Sequence, residues 1–186
     1  MNFQLQKSNQ LTRKDKSNEQ HIDKEIASLC KKINSRQEYY TTSSCSGRIS
    51  LIKALEEKSK NVFLFKTHSK INFSQLKKHL GNAGKKYSGL IYFKQEPCIL
   101  HVACLDSGSG LKLLEKARIA GWKRSGMIAK GKRIILELMS TEKLELPIAN
   151  SKKILVSDEY LKILAKEANK KLEKVREKIQ KFENLV

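Results

Sequence analysis

With 186 residues, 39% of them hydrophobic and 31% charged, the chain is long enough for one domain with a true core and excludes a disordered polymer. Thirty-eight Lys and Arg against 19 Asp and Glu leave a formal charge of +19. A field of that size attracts polyanions, and nucleic acid is the expected partner. A membrane surface is disfavoured, because no basic amphipathic segment carries an aromatic face.

Other classes are excluded by what the sequence lacks. No stretch approaches the roughly 20 apolar residues that span a bilayer, and residues 1–7 carry no secretory pattern. Cys30, Cys45, Cys98 and Cys104 form no CxxC pair and have no His neighbours at zinc spacing. Reduced thiols, no metal and a cytoplasmic location are the expectation.

In chain order, residues 1–14 are polar and aperiodic and read as a loose arm. Ile22, Ile26, Leu29, Cys30 and Ile33 then share one helical face. Tyr39 to Ser46 is a dense hydroxyl segment, closed by Gly47-Arg48 and an apolar run from Ile49 to Leu55. Val62 to Phe65 reads as a buried strand, and Phe73, Leu76, Lys77 and Leu80 fit a short helix ended by Gly81-Asn82.

Two further strands are expected at Leu90 to Phe93 and Ile99 to Leu105, with Gln95-Glu96-Pro97 between them. Proline cannot donate to a ladder, so Glu96-Pro97 belongs at a turn or an edge. Leu111, Leu114, Ala117 and Arg118 place a helix over 109–120, stopped by Gly121; Ser107 to Gly110 reads as a loop. Met127 to Ala129 and Ile134 to Met139 flank Lys130-Gly131-Lys132, a plausible basic hairpin.

The final helix is expected over 157–184, with Ser157 as its cap and Asp158 and Glu159 in the first turn. Leu161, Ala165, Ala168, Leu172, Val175, Ile179 and Phe182 form a heptad seam that suits the domain's own core better than a partner helix. The expected fold is α+β: a loose arm over 1–14, then a single domain over 15–186 with a mixed sheet packed by helices. It is not the doubly wound fold, because no dinucleotide fingerprint or phosphate loop is present.

Three groups of residues could carry chemistry. Ser43 to Arg48 packs hydroxyls, a glycine and a guanidinium into six positions. Ser44, Ser46, Gly47 and Arg48 are therefore candidates for holding a phosphate or a carboxylate, against an ordinary serine-rich turn. His101 sits inside an apolar run, either hydrogen-bonded in a core or as a proton acceptor; Glu96 is a second acceptor candidate. Lys123, Arg124, Lys130, Lys132 and Arg133 surround the only tryptophan, Trp122. With Lys94 they make a candidate RNA footprint with a stacking ring, the alternative being Trp122 as a core ring.

Thr41 to Ile49, Thr67-His68, Phe93 to Val102, Ala120 to Gly126, Ser140, and Leu144 to Ile148 with the terminal helix resemble the tRNA wybutosine-synthesising protein 3 family. Asp15-Lys16-Ser17 with Ile22-Asp23 resembles its N-terminal motif, and the similarity spans about residues 15–186. Between those N-terminal halves the family has a basic residue, lysine and glycine, where this chain has Asn18-Glu19-Gln20. The resemblance implies S-adenosylmethionine-dependent methylation of N4 in a wyosine-type tricyclic base beside the anticodon of phenylalanine tRNA. On that reading the hydroxyl segment holds the cofactor's carboxylate or an RNA phosphate, and Glu96 or His101 takes the nitrogen's proton. The rival from another class is a non-catalytic tRNA-binding protein. A nuclease is disfavoured by the lack of clustered acidic metal ligands.

Overall fold

The computed structural model describes residues 2–12, 22–54, 62–130 and 133–186, Lys130 as backbone alone. The Asp15-Lys16-Ser17 motif, Asn18-Glu19-Gln20, Leu55 and the Gly131-Lys132 hairpin tip lie outside the described residues. In chain order the elements begin with α1 (Phe3–Leu11), α2 (Lys24–Ser35), β1 (Tyr39–Cys45), β2 (Arg48–Lys53), β3 (Phe63–Thr67), α3 (Phe73–Lys86) and β4 (Ile91–Glu96). They continue with β5 (Ile99–Cys104), α4 (Ser107–Ile119), β6 (Gly126–Lys130), β7 (Ile134–Met139), β8 (Leu144–Asn150), β9 (Lys153–Ile154) and α5 (Asp158–Leu185).

The α+β class and the long C-terminal helix are as expected. The chain forms two compact units, each assembled from separate segments. The first comprises Met1–Ser46, Cys98–Thr141 and Val175–Val186; the second comprises Gly47–Pro97 and Glu142–Lys174. Where the sequence suggested one mixed sheet, the strands form two sheets, in the orders β1-β5-β7-β6 and β3-β2-β4-β8-β9. All described pairings are antiparallel. The helical crossovers explain this. α3 joins β3 to β4 with β2 between them, and α4 joins β5 to β6 with β7 between them, so each crossover skips an antiparallel neighbour.

In the first unit, β7 alternates strictly, and β5 alternates from Ile99 to Val102 before Ala103 is buried as well. Leu100, Val102, Leu136 and Leu138 are fully buried against α2, α4 and the end of α5. The intervening residues, among them His101 and Glu137, face the other way. Within the described part of the expected loose arm, Phe3–Leu11 form a helix, α1. Asn2 caps it by accepting from the Gln4 N–H at 2.9 Å, and Phe3 lies 5.2 Å from the Tyr40 ring. Nine residues are too few for a stable isolated helix, so this docking, invisible to a periodicity search, holds it.

Two further elements differ in detail from expectation. Ser107 to Gly110 is not a loop but the first turn of α4, fixed by a capping box between Asp106 and Ser109. In the second unit, α3 does not stop at Gly81-Asn82. Its apolar face continues through Ala83 and Gly84, both buried.

The heptad seam of α5 is consumed within the chain, as expected. Leu161 to Leu172 enter the second unit's core and Val175 to Phe182 the first unit's. Ser157 caps the helix, its hydroxyl accepting from the Tyr160 N–H at 3.2 Å. Among the described residues no helix is long and apolar enough to cross a membrane.

Candidate functional site

The hydroxyl segment is a strand, β1, rather than a turn. It pairs with β5, and its register slips between Thr41 and Ser43. Thr41 faces Val102, so a regular ladder would set Thr42 opposite His101; the bulge sets Ser43 there instead. Thr42 is left to bond the His101 backbone carbonyl at 3.4 Å.

The register then builds a three-strand file on the face away from the core. Ser43 lies opposite His101 and His101 opposite Glu137. The Ser43 hydroxyl is 2.8 Å from His101 Nδ1, and His101 Nε2 is 2.9 Å from a Glu137 carboxylate oxygen. Ser43 is exposed, and the His101 and Glu137 side chains are 29% and 33% accessible. His101 is therefore not enclosed in a core: it is a partly exposed imidazole held at both nitrogens.

Beyond Ser43 the segment is clamped. Ser44 faces Leu100 in the β1–β5 register and hydrogen-bonds the buried Cys30 thiol on α2. Burial pushes that thiol up to about 11 despite the bond from Ser44, and pushes Cys104 up to about 12, so both stay protonated at neutral pH. No disulfide links any of the four cysteines.

Asp23, at the N-cap of α2, makes no side-chain capping bond to its own helix. Its carboxylate accepts from the Ser46 N–H at 2.7 Å, while Arg176 of α5 donates to the Ser46 carbonyl at 2.7 Å. Arg176 also lies 3.6 Å from Glu25. Gly47 follows with φ +85°, a conformation L side chains rarely adopt.

In the second unit, Arg48 and Glu96 meet as a fork. Arg48 Nε and Nη2 donate to the Glu96 carboxylate at 2.6 and 3.3 Å, Ser50 adds a bond at 3.3 Å, and the guanidinium carbon lies 4.7 Å from the Phe63 ring centre. The pair is half-buried, at 27% and 28% side-chain exposure. His68 Nδ1 lies 3.0 Å from the Gly47 carbonyl, so the Thr67-His68 stretch supports the turn beside Arg48.

The cationic residues divide. Lys123, Arg124 and Arg133 are exposed. Lys94 is ion-paired with Glu145, whose carboxyl is held below its ordinary range first by the bond from Lys143 and then by Lys94. Lys132 and the Lys130 side chain are outside the described residues, although β6 and β7 form the expected hairpin. Trp122 is a core ring and not a stacking platform: it is fully buried, bonds the Lys178 carbonyl through Nε1 at 3.1 Å and packs 5.2 Å from Phe182. The adjacent cations drew it into the expected footprint, but only its flanks reach solvent.

The sequence reading left Glu137, Asp23 and Arg176 out of the site. Glu137 carried a signal, as the one charge in the apolar run Ile134 to Met139. Arg176 carried none, being one cation among many on α5.

The model of the methyltransferase TYW3 family matches residues 4–186, and the chain belongs to that family. A protein of Methanocaldococcus jannaschii named tRNA(Phe) 7-((3-amino-3-carboxypropyl)-4-demethylwyosine(37)-N(4))-methyltransferase is 36% identical over 167 residues, 88% of this chain and 85% of that protein. The tRNA wybutosine-synthesizing protein 3 homolog of Danio rerio is 35% identical over 97% of this chain and 72% of its own length. Among solved structures, the PH1069 protein of Pyrococcus horikoshii superposes with a TM-score of 0.87 at 31% identity, covering 98% of this chain and 95% of that one.

Proposed function

We propose that this protein transfers a methyl group from S-adenosylmethionine to N4 of a demethylwyosine-type base beside the anticodon of phenylalanine tRNA, acting in the cytoplasm. The observation that carries this reading is a match over more than four fifths of both chains to a relative named for that reaction. The +19 charge and the exposed Lys123, Arg124 and Arg133 support an RNA substrate.

The cofactor supplies an electrophilic methyl carbon on a sulfonium, and its amino-acid end carries an ammonium and a carboxylate. The half-exposed Arg48–Glu96 pair fits that end, because it presents one charge of each sign side by side. Glu96 then serves in binding rather than as the proton acceptor. Ser44, Ser46 and Gly47 shape and hold the segment that leads into Arg48. The chain's chief tasks are to place donor and acceptor within reach, which can supply much of the acceleration of a displacement, and to take the acceptor nitrogen's proton. His101 is the base to which that proton's charge finally passes, being partly exposed with a hydroxyl on one side and a carboxylate on the other.

The test uses labelled S-adenosylmethionine and tRNA from cells lacking this modification step. Label should enter the tricyclic base, and fully modified tRNA should stay unlabelled, because its nitrogen is already methylated. Absence of transfer, with no heat of binding on titrating the cofactor, would leave a non-catalytic tRNA binder.

A further inference from the structure

His101 and its two neighbours make a directional relay and not merely a polar cluster. We infer that Ser43 is the group that meets the substrate proton, that His101 accepts Ser43's own proton at Nδ1, and that Glu137 is the positioning residue that sets the imidazole tautomer; this rests on the methyl transfer proposed above.

An ionised carboxylate only accepts hydrogen bonds. Glu137, 2.9 Å from Nε2, therefore requires a proton on Nε2. In the neutral ring that leaves the Nδ1 lone pair directed at the Ser43 hydroxyl, 2.8 Å away. The hydroxyl must donate to it, which turns the serine oxygen's lone pairs outward, and Ser43 is the exposed member of the file.

The bulge supports the assignment. Without the extra residue at Thr42, the group opposite His101 would be a β-branched threonine with restricted rotamers. Serine there rotates freely between a ring nitrogen and a substrate.

The electron and proton balance closes. The lone pair of the acceptor nitrogen forms the new N–C bond, the C–S bond of the sulfonium donor breaks, and its pair remains on sulfur. The proton released by the nitrogen passes to the Ser43 oxygen as the serine proton passes to Nδ1. The imidazolium that results is stabilised by the Glu137 carboxylate at Nε2.

Two measurements test this. In protein labelled with ¹⁵N-histidine, long-range ring correlations should show His101 with its proton on Nε2. Glu137→Ala should mix the tautomers, while Glu137→Gln, which keeps an acceptor oxygen, should preserve them. In single-turnover methyl transfer, Ser43→Ala and Glu137→Ala should each slow the reaction about 10–100-fold, the low end of what a positioned proton-transfer group contributes. tRNA affinity should be retained, and Glu137→Gln should recover part of the rate.

Because all three groups act through one imidazole, Glu137→Ala should add nothing in a His101→Ala background. An Nδ1–H tautomer in the wild type overturns the relay whether or not the protein methylates. Transfer by the wild type with a full-rate Glu137→Ala, or with independent and multiplicative losses, overturns the relay alone. No transfer by the wild type overturns the reading beneath it. Both variant side chains face away from the core, and circular dichroism confirms folding before either measurement.

Discussion

Replacing Trp122 separates a structural ring from an RNA-stacking one. The indole is fully buried, with Phe182 at 5.2 Å and the Lys178 carbonyl at 3.1 Å. Truncating a core tryptophan to alanine costs about 3–5 kcal/mol. At about 2–4 °C per kcal/mol for a protein of this size, Trp122→Ala should melt roughly 6–20 °C below the wild type. Trp122→Phe keeps a ring against Phe182 and loses the N–H. The Lys178 carbonyl lies within α5 and retains its helical partner, so the loss should be nearer 1–3 kcal/mol, about one for the hydrogen bond and the rest for the void. Thermal unfolding followed by circular dichroism gives the stabilities, and tRNA affinity is measured well below each midpoint. A Trp122→Phe protein that melts with the wild type yet binds tRNA tenfold more weakly would refute the core assignment and return the ring to the RNA surface.

Three further outcomes are expected. Alanine at Lys123, Arg124 and Arg133 should weaken tRNA binding and flatten the plot of log affinity against log salt by about 0.7–0.9 for each phosphate no longer neutralised; an unchanged slope in filter binding would place the footprint elsewhere. Gly47→Ala should cost about 1–2 kcal/mol in urea unfolding, because an L side chain is strained at positive φ; no loss would mean that the turn relaxes. Asp106 has its carboxyl held below the ordinary range, chiefly by the Ser109 backbone N–H and then by the Ser109 hydroxyl. Its contribution is present above the unfolded value and lost as pH falls through the folded one. The stability gap between wild type and Asp106→Asn should therefore close in acid, and a gap independent of pH would show that the charge is not involved.

Legibility from sequence followed the range of the interactions. α2, α4 and α5 were readable because each shows an apolar face at helical spacing, and β5 and the β6–β7 hairpin because of their apolar runs. β1 was missed as a strand, since Thr, Ser and Ser suit a turn as well as a ladder, and its strand character comes from pairing with β5. β8 was hidden by Pro147, whose missing N–H is accommodated beside the register shift between Ile91 and Tyr92. His101 was found as a polar residue in an apolar run, but its partners were not, because 58 and 36 residues separate it from Ser43 and Glu137. Only the strand register brings the three together. Arg48 and Glu96 were both chosen as site residues, and their mutual pairing is likewise a product of register, between β2 and β4.

The division of α5 between two cores bears on how the chain is made. Ile26, Leu29 and Ile33 leave the ribosome long before the rest of their core, which also contains Val175, Ile179 and Phe182. At about 5–20 residues per second, the roughly 150 residues between Ile26 and Val175 take about 7–30 s to synthesise. Throughout that interval the first unit lacks one wall of its core. The second unit contains nothing beyond Lys174, so its residues are all synthesised before the last of the first unit's, although it begins later in the chain. The unit that starts earlier in the chain is therefore the one whose final core residues are synthesised last, and its α2 segment must stay unaggregated until Val175 to Phe182 are made.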